Sequence, residues 1–558
     1  MNKNNCKEHY DVIVIGAGAT GAGTARDCAM RGLSVLQVER FDFTAGATGR
    51  NHGLLHSGAR YAVTDHESAA ECIKENMILR RIARHCVEET GGLFVTLPED
   101  DLDYQKKFTE ACRAAGIAAE VIDPALAIEM EPAVNKDIIG AVKVPDGAID
   151  PFRLTTANVM DARAHGADIL TYHEVTSLLM ESGRVTGVEL REQRTGRKFN
   201  VRASLVINAA GIWGQRICAM AGIKVNMFPA KGALLIFGHR VNNVVINRCR
   251  KPADADILVP GDTISLIGTT SSRIPFEEVD NMEVTGEEVD VLLREGTKIA
   301  PSLAYTRILR AYAGVRPLVA SDDDPSGRSI SRGIVCLDHA VRDGIEGMIT
   351  ITGGKLMTYR LMAEMATDMA CKKLGVNGKR CLTAERPLPG SEAPVAEPDA
   401  NTKKPKSHII ELSTDQKAAQ GRHGTLSTEI SHNSDEDDAL VCECEQVSVG
   451  ELKYAIRKLH ADSLINLRRR TRLGMGTCQG GLCACRAAEI LRDTTGKPSE
   501  VLGDLAKFID ERWKGMKPVA WGQTLVEAQF MAWLYRGVCG LTPDIGKSGD
   551  DSTATTNQ

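Results

Sequence analysis

Four cysteines near the end of this 558-residue chain have the types and spacing that most directly suggest chemistry. Cys442 and Cys444 form a C-x-C pair, and Cys478 and Cys483 follow in GMGTCQGGLC after 33 intervening residues. Thiolates on two short glycine-bearing turns can converge on one centre without long side chains, which is what an iron–sulfur cluster needs. Zinc is the competing occupant, although Cys₄ zinc sites more often use C-x-x-C knuckles. Cys485, two positions past Cys483, is a further thiol able to replace a ligand. The rest of the 16 cysteines are scattered singly, in the manner of reduced, buried thiols. Between the two pairs runs a helical, basic segment. Its residues 468–472 could offset the charge of a thiolate cluster, receive an acidic partner, or form a solvated face.

A second set of chemical residues stands at the other end, in DVIVIGAGATGAGTARDCAMRGLSVLQVER (residues 11–40). Gly16, Gly18 and Gly21 have the G-x-G-x-x-G spacing, which provides a tight turn, close approach to a pyrophosphate, and close packing of helix on strand. Glu39 lies 23 positions after Gly16, near the roughly 20 expected of a carboxylate that accepts ribose hydroxyls. Arg40 and Thr48 flank it, and the loop beyond carries Arg50, His52, His56, Arg60 and Tyr61 among glycines that permit close backbone approach. Further on, Arg316 in AGVRPL, Arg332 in SRG, and Lys355 after Gly353 and Gly354 place cations at turns near strand ends. Guanidinium forks there suit a phosphate or carboxylate substrate.

The elements that must position these groups follow from periodicity. Val12 to Ile15 form a continuous apolar run fit for a buried parallel strand. A helix follows to Gly32, and residues 33–38 form a second strand. LVINAAGIWG (residues 205–214) repeats strand and turn, bringing Ala210 and Gly211 back to the nucleotide edge and favouring a flavin over a nicotinamide. Residues 67–86 are expected to form a helix with Ala70, Ile73, Met77 and Ile82 on its apolar face. Residues 225–340 read as strands of a mostly antiparallel substrate domain. The net charge of -5 argues against a nucleic-acid binder. With no long apolar run and no signal peptide, a cytoplasmic chain is expected.

The expected fold class is α/β: a Rossmann-like nucleotide domain, a mixed or antiparallel-sheet substrate domain and a small helical cysteine-rich domain. The first two share residues 1–385, with the nucleotide part at about 8–90, 150–220 and 340–375. Residues 386–436 read as a linker with one short helix, 437–495 as the cysteine-rich domain and 496–558 as an extension with a disordered tail.

GAGATGAGTARD, GATGRNHGLLHSGARY, AGVRPL and TGGKLMTYR together resemble the FAD-dependent oxidoreductases of the glycerol-phosphate dehydrogenase and D-amino-acid oxidase type. The C-x-C with GMGTCQGGLC is similar to the bacterioferritin-associated-ferredoxin type of [2Fe-2S] domain. The resemblance implies FAD on the opening unit and a [2Fe-2S] cluster on the four cysteines. It implies oxidation of sn-glycerol 3-phosphate to dihydroxyacetone phosphate. It further implies a second flavoprotein subunit and a membrane-anchoring iron–sulfur subunit that pass electrons to a quinone pool in anaerobic respiration, holding the chain at the cytoplasmic face of the inner membrane. Arg316, Arg332 and Lys355 would hold the phosphate, and Gly354 would lie with Ala210 and Gly211 against the flavin. Related dehydrogenases carry a histidine shortly after a Lys-Gly pair. Here Lys231-Gly232 is followed by Ala233 and Leu234, so His56 is the substitute base. An FAD dehydrogenase of another small hydroxy or amino acid, and a flavin and iron–sulfur electron carrier without its own substrate, are the alternatives.

Overall fold

A computed structural model describes residues 6–319, 333–392, 412–497 and 501–541. Strand His9–Ile15 lies in an eight-stranded sheet, parallel to Val35–Val38 on one side and to Lys198–Asn208 on the other. Strand Met348–Gly353 extends the parallel set beyond Lys198–Asn208. Both faces of the first strand are covered, which explains its unbroken apolar run. Val12 and Val14 pack with Ala22 and Ala25 of helix Ala19–Met30 and with Ala366 of helix Tyr359–Leu374. Ile13 and Ile15 pack on the opposite side with Leu190 and Ile217. The parallel strands therefore end side by side, at Ile15, Val38, Asn208 and Gly353, and loops from all four share one rim.

The second sheet has nine strands, all antiparallel pairs except Val245–Arg248 with Gly92–Thr96. Its longest ladder joins Met227–Phe237 to Ile308–Val319. The latter crosses the 50–51 loop of the first domain: Tyr312 Oη donates to the Asn51 carbonyl (2.8 Å), and a Cβ on Gly314 would sit 2.6 Å from the Arg50 carbonyl oxygen.

The helix expected at 67–86 runs from His66 to Ile82, and its inward face is only partly the expected one: Ile82 is buried and Ile73 packs half-buried against the core. Met77 is exposed, whereas Ala69, Cys72, Glu75, Asn76 and Leu79 are buried. Two polar residues on the inward face hide the pattern. Asn76 donates to the carbonyls of Leu55 and His56 (3.1 and 3.0 Å), and Glu75 accepts both arms of the Arg360 guanidinium (2.6 and 2.8 Å). Glu75→Gln is expected to cost about 3 kcal/mol of stability, because Arg360 stays charged and buried. Glu364→Gln, which removes a partly exposed partner of the same arginine, should cost less than about 1 kcal/mol. Urea unfolding of the two variants checks the contrast.

Residues 412–436 do not behave as linker. Helix Thr414–His423 packs onto the cysteine-rich domain, where Arg422 and His423 both hydrogen-bond the fully buried Glu451. The remainder of the expected linker that falls in 393–411, and the tail at 542–558, lie outside the described residues. Helices Val449–Arg457, Leu464–Thr471 and Ala484–Thr495 bury Leu452, Leu467 and Ala487 together. Helix Val501–Met516 closes this core with Phe508.

Candidate functional site

The rim of the parallel strands is shaped by glycine. Gly16 has φ +106, and a Cβ there would meet the Ala209 carbonyl oxygen at 2.6 Å. A Cβ on Gly21 would lie 2.1 Å from the Gly16 carbonyl oxygen, so this position is fixed by helix packing on strand. Gly18 faces Thr48, whose Oγ1 accepts the Ala19 N–H (3.0 Å) at the first turn of the helix. Glu39 accepts from Ala17 N–H (2.8 Å) and Phe41 N–H (2.9 Å), one per carboxylate oxygen, and each oxygen retains a second lone pair for a ribose hydroxyl. Burial raises its pKa, against the pull of those two N–H donors.

Arg40 donates to Asp280 (2.7 Å) and lies over the Trp213 ring. Asp280 also accepts from Trp213 and Arg216, and these three donors, outweighing burial, bring it down to about 2. Arg40 thus ties the opening unit to the returning loop. Ala210 and Gly211 (φ +57) sit at the end of Lys198–Asn208, and Gly353 and Gly354 (φ +78 and +65) at the end of Met348–Gly353. Every expected cofactor residue therefore lies on or beside one rim at the carboxyl ends of parallel strands, where dinucleotides bind.

His56 is buried, following the short strand Leu54–Leu55. Its ring packs against those of His52 (5.7 Å between centroids) and Tyr61 (5.5 Å). Lys355 Nζ lies 4.8 Å from the centre of the Tyr61 ring, so Tyr61 joins the expected base to an expected phosphate cation. Tyr61 was not singled out for that role by its sequence, although its place five residues after His56 was a signal. Arg316 is on the substrate sheet, its fork held by Thr269 Oγ1 (2.6 Å) and the Thr270 carbonyl (3.1 Å) over Gly232, where a Cβ would stand 2.7 Å from Nη2. Lys231, beside that glycine, is paired with Glu288 (2.8 Å). Arg332 lies outside the described residues.

The four cysteines converge. Cys442 ends strand Leu440–Cys442, Cys483 is the N-cap of helix Ala484–Thr495, and both are buried; Cys444 and Cys478 are half-buried. Cys478 is within hydrogen-bonding reach of both Cys444 and Cys483, and Cys483 of Cys442. Those sulfur neighbours and the N–H groups of Gly480 and Leu482 hold Cys478 toward thiolate, while Cys483 is pushed up. Gly476 makes room for the set: a Cβ there would fall 2.4 Å from the Cys444 Cβ. Convergent sulfurs with backbone donors around them fit a thiolate-held cluster. Cys485 is exposed and interacts with Tyr535 and Cys539 instead.

The basic run forms an interdomain clamp. Arg470 and Arg469 both grip the buried Asp42, just after the second strand (2.6 and 3.1 Å). Those guanidiniums outweigh burial and lower its pKa. Arg472 joins Asp262 (3.0 Å) to Glu445 (2.9 Å), the residue after Cys444. These arginines are committed to carboxylates across the domain boundary and do not form a solvated face.

Comparison with known proteins agrees with this arrangement. Residues 11–360 match the FAD dependent oxidoreductase family, and residues 440–493 match the BFD-like [2Fe-2S] binding domain. The chain is 61% identical over 533 residues to a subunit of the anaerobic glycerol-3-phosphate dehydrogenase of Haemophilus influenzae, covering 95% of this chain and 93% of that one. It is 61% identical to the corresponding subunit of the Escherichia coli K12 enzyme, covering 97% and 98%. The A1 subunit of the anaerobic glycerol-3-phosphate dehydrogenase of Haloferax volcanii is 44% identical, with 96% and 92% covered. Among solved structures, the glycerol-3-phosphate dehydrogenase from Bacillus halodurans complexed with FAD shares the fold (TM-score 0.67, 20% identity, 93% of this chain and 97% of that one). The chain belongs to the FAD dependent oxidoreductase family, joined to a BFD-like [2Fe-2S] binding domain, and its cofactors are FAD and a [2Fe-2S] cluster.

Proposed function

We propose that this chain is the catalytic subunit of a multi-subunit glycerol-3-phosphate dehydrogenase, oxidising sn-glycerol 3-phosphate to dihydroxyacetone phosphate. The observation that carries this reading is the match, over nearly the whole length of both chains, to proteins named as subunits of anaerobic glycerol-3-phosphate dehydrogenase. Bound FAD supplies a hydride acceptor, and the cluster supplies a one-electron outlet.

The protein's part is to hold and deprotonate the substrate. Arg316 and Lys355, with Arg332, bind the phosphate. Arg316, its terminal nitrogens fixed by Lys231, Thr269, Thr270 and Ser271, offers a positioned charge and its Nε–H, and Lys355 offers a compact point charge. A ring nitrogen of His56 takes the C2 hydroxyl proton while the C2 hydrogen leaves with its electron pair, so the alcohol becomes a ketone. Burial of His56 behind Tyr61 and His52 limits its exchange with water. Cys442, Cys444, Cys478 and Cys483 hold the cluster. Gly16, Gly18, Gly21, Glu39, Arg40, Thr48, Ala210, Gly211 and Gly354 frame the FAD site.

Electrons then pass to a second flavoprotein subunit and a membrane-anchoring iron–sulfur subunit, and from there to quinone. Among the described residues no helix is long and apolar enough to cross a membrane, which suits attachment at the cytoplasmic face through partners. The test is anaerobic addition of sn-glycerol 3-phosphate to purified protein: the flavin absorbance is expected to bleach, with no bleaching by 2-hydroxy acids or amino acids. Absence of bleaching by glycerol 3-phosphate overturns the assignment.

A further inference from the structure

A cavity of about 820 Å³ lies where three parts of the chain meet: the 44–53 loop, strand Ile308–Val319 of the substrate sheet, and the cysteine-rich domain. It adjoins the site just described at His52, whose ring packs on that of His56, but does not share the cofactor and phosphate residues. Its walls include neither Gly16, Gly18 and Glu39 of the nucleotide rim nor His56, Arg316 and Lys355.

Each of the three parts contributes an arginine to it: Arg50, Arg310 and Arg468. Arg310 Nε and Nη1 are buried with no hydrogen-bond partner among the described residues. Glu511, on helix Val501–Met516, is the carboxylate whose charge acts on all three, and it is solvent-exposed. The other acids of the wall are already engaged. Asp150 and Asp262 pair with Arg153 and Arg472, Glu88 pairs with Arg240, Glu283 lies 3.7 Å from Lys517, and Glu392 accepts from Gly390 N–H and Thr425 Oγ1. Burial pushes all three arginines below their ordinary pKa, and Arg310 and Arg469 add like-charge repulsion at Arg468. Cations that converge from separate parts of the chain onto one cavity repel one another unless an anion completes them. A phosphomonoester carries about -1.5 to -2 charges at neutral pH and three strong acceptor oxygens, which suits an excess of guanidinium over carboxylate.

The wall also carries apolar side chains, Ile236, Leu266 and Met282, and the ring of Tyr312, alongside polar groups such as Asn51, His52, His85 and Gln420. A volume of this size falls within the roughly 300–1,000 Å³ usual for organic ligands. Free phosphate would leave most of it unused.

We infer that this interdomain cavity binds a phosphomonoester of mononucleotide size, its phosphate held by Arg50, Arg310 and Arg468 and its ring body lying against Ile236, Leu266 and Tyr312. Such a ligand would bridge the flavin-bearing body and the cluster domain, adding contacts between them.

The test is calorimetric titration of the FAD- and cluster-loaded protein with inorganic phosphate, AMP and FMN. At least one nucleotide is expected to bind ten times more tightly than inorganic phosphate, and saturating glycerol 3-phosphate should not displace it. Arg310→Met and Arg468→Met should each weaken binding tenfold or more while leaving glycerol 3-phosphate-driven flavin bleaching at the wild-type rate. Glu511→Gln, which removes the opposing charge without touching the arginines, should tighten binding severalfold and serves if either arginine variant fails to fold. The inference is overturned if none of the three probes binds, if the nucleotides bind no better than phosphate, if glycerol 3-phosphate displaces them, or if binding is indifferent to these variants. None of these outcomes depends on which alcohol the flavin site oxidises.

Discussion

Cys478→Ser is expected to keep glycerol 3-phosphate-driven flavin bleaching within about twofold of wild type while abolishing electron delivery to an external acceptor taken through the partner subunits. The expectation rests on where the cysteine sits. Cys478 is close to both Cys444 and Cys483, so it occupies the middle of the convergent set. Serine there replaces a soft, ionised sulfur with a hard oxygen whose proton is far less acidic, and iron–sulfur clusters depend on thiolate. The groups proposed to handle substrate belong to other elements: His56 follows Leu54–Leu55, and Arg316 lies on Ile308–Val319. The clamp of Arg469 and Arg470 on Asp42 does not involve Cys478, so the domain should remain docked. Rapid-reaction spectroscopy separates the two half-reactions. Equal loss of bleaching and of onward transfer would mean that the cluster is structural, and the proposed electron path would fail.

The contrast between what could and could not be read from the sequence follows contact range. The opening unit was legible because its signals stand together in one short stretch, even where the partner is distant. Val12 to Ile15 form an unbroken apolar run because helices and strands cover both faces, and Gly21 is required by the Gly16 carbonyl oxygen five positions earlier. The cysteine pairs were legible for the same reason. What escaped was fixed by partners far along the chain. Glu75 faces inward only because Arg360, 285 positions later, meets it, and so Met77 rather than Glu75 looked like a core residue. The run at 468–472 could not be narrowed to an acidic partner over cluster charge or a solvated face, because Asp42, more than 400 positions earlier, carries no local sign of being the counter-charge of Arg469 and Arg470. Helix Thr414–His423 has a weak apolar pattern. Its buried Arg422 and His423 are stabilised by Glu451, a pairing that composition reads as linker polarity. Tyr61 was visible as a loop residue, but its position between His56 and Lys355 requires the 353–358 turn to fold back over it.

Arg316→Ala is expected to lower kcat/KM for glycerol 3-phosphate about tenfold or more with FAD retained, since a charge-assisted contact of about 1.5–3 kcal/mol is lost. Arg316→Lys should recover part of this, because it restores the charge but not the planar fork. The sharper experiment leaves the arginine in place. Gly232 has an ordinary backbone conformation, and a Cβ there would stand 2.7 Å from Arg316 Nη2 and 3.0 Å from the Thr270 carbonyl oxygen. Gly232→Ala must therefore push the guanidinium off Thr269 and Thr270 while preserving its charge. If Arg316 acts by holding the phosphate in one geometry, Gly232→Ala should raise KM about tenfold with little loss of thermal stability, since a flexible side-chain end can yield. If it serves only as a diffuse positive charge, Gly232→Ala should leave KM unchanged and Arg316→Lys should behave as wild type. Steady-state kinetics on the three variants, with flavin content measured alongside, distinguishes these outcomes. Unchanged kcat/KM in Arg316→Ala would remove this arginine from the proposed phosphate site altogether.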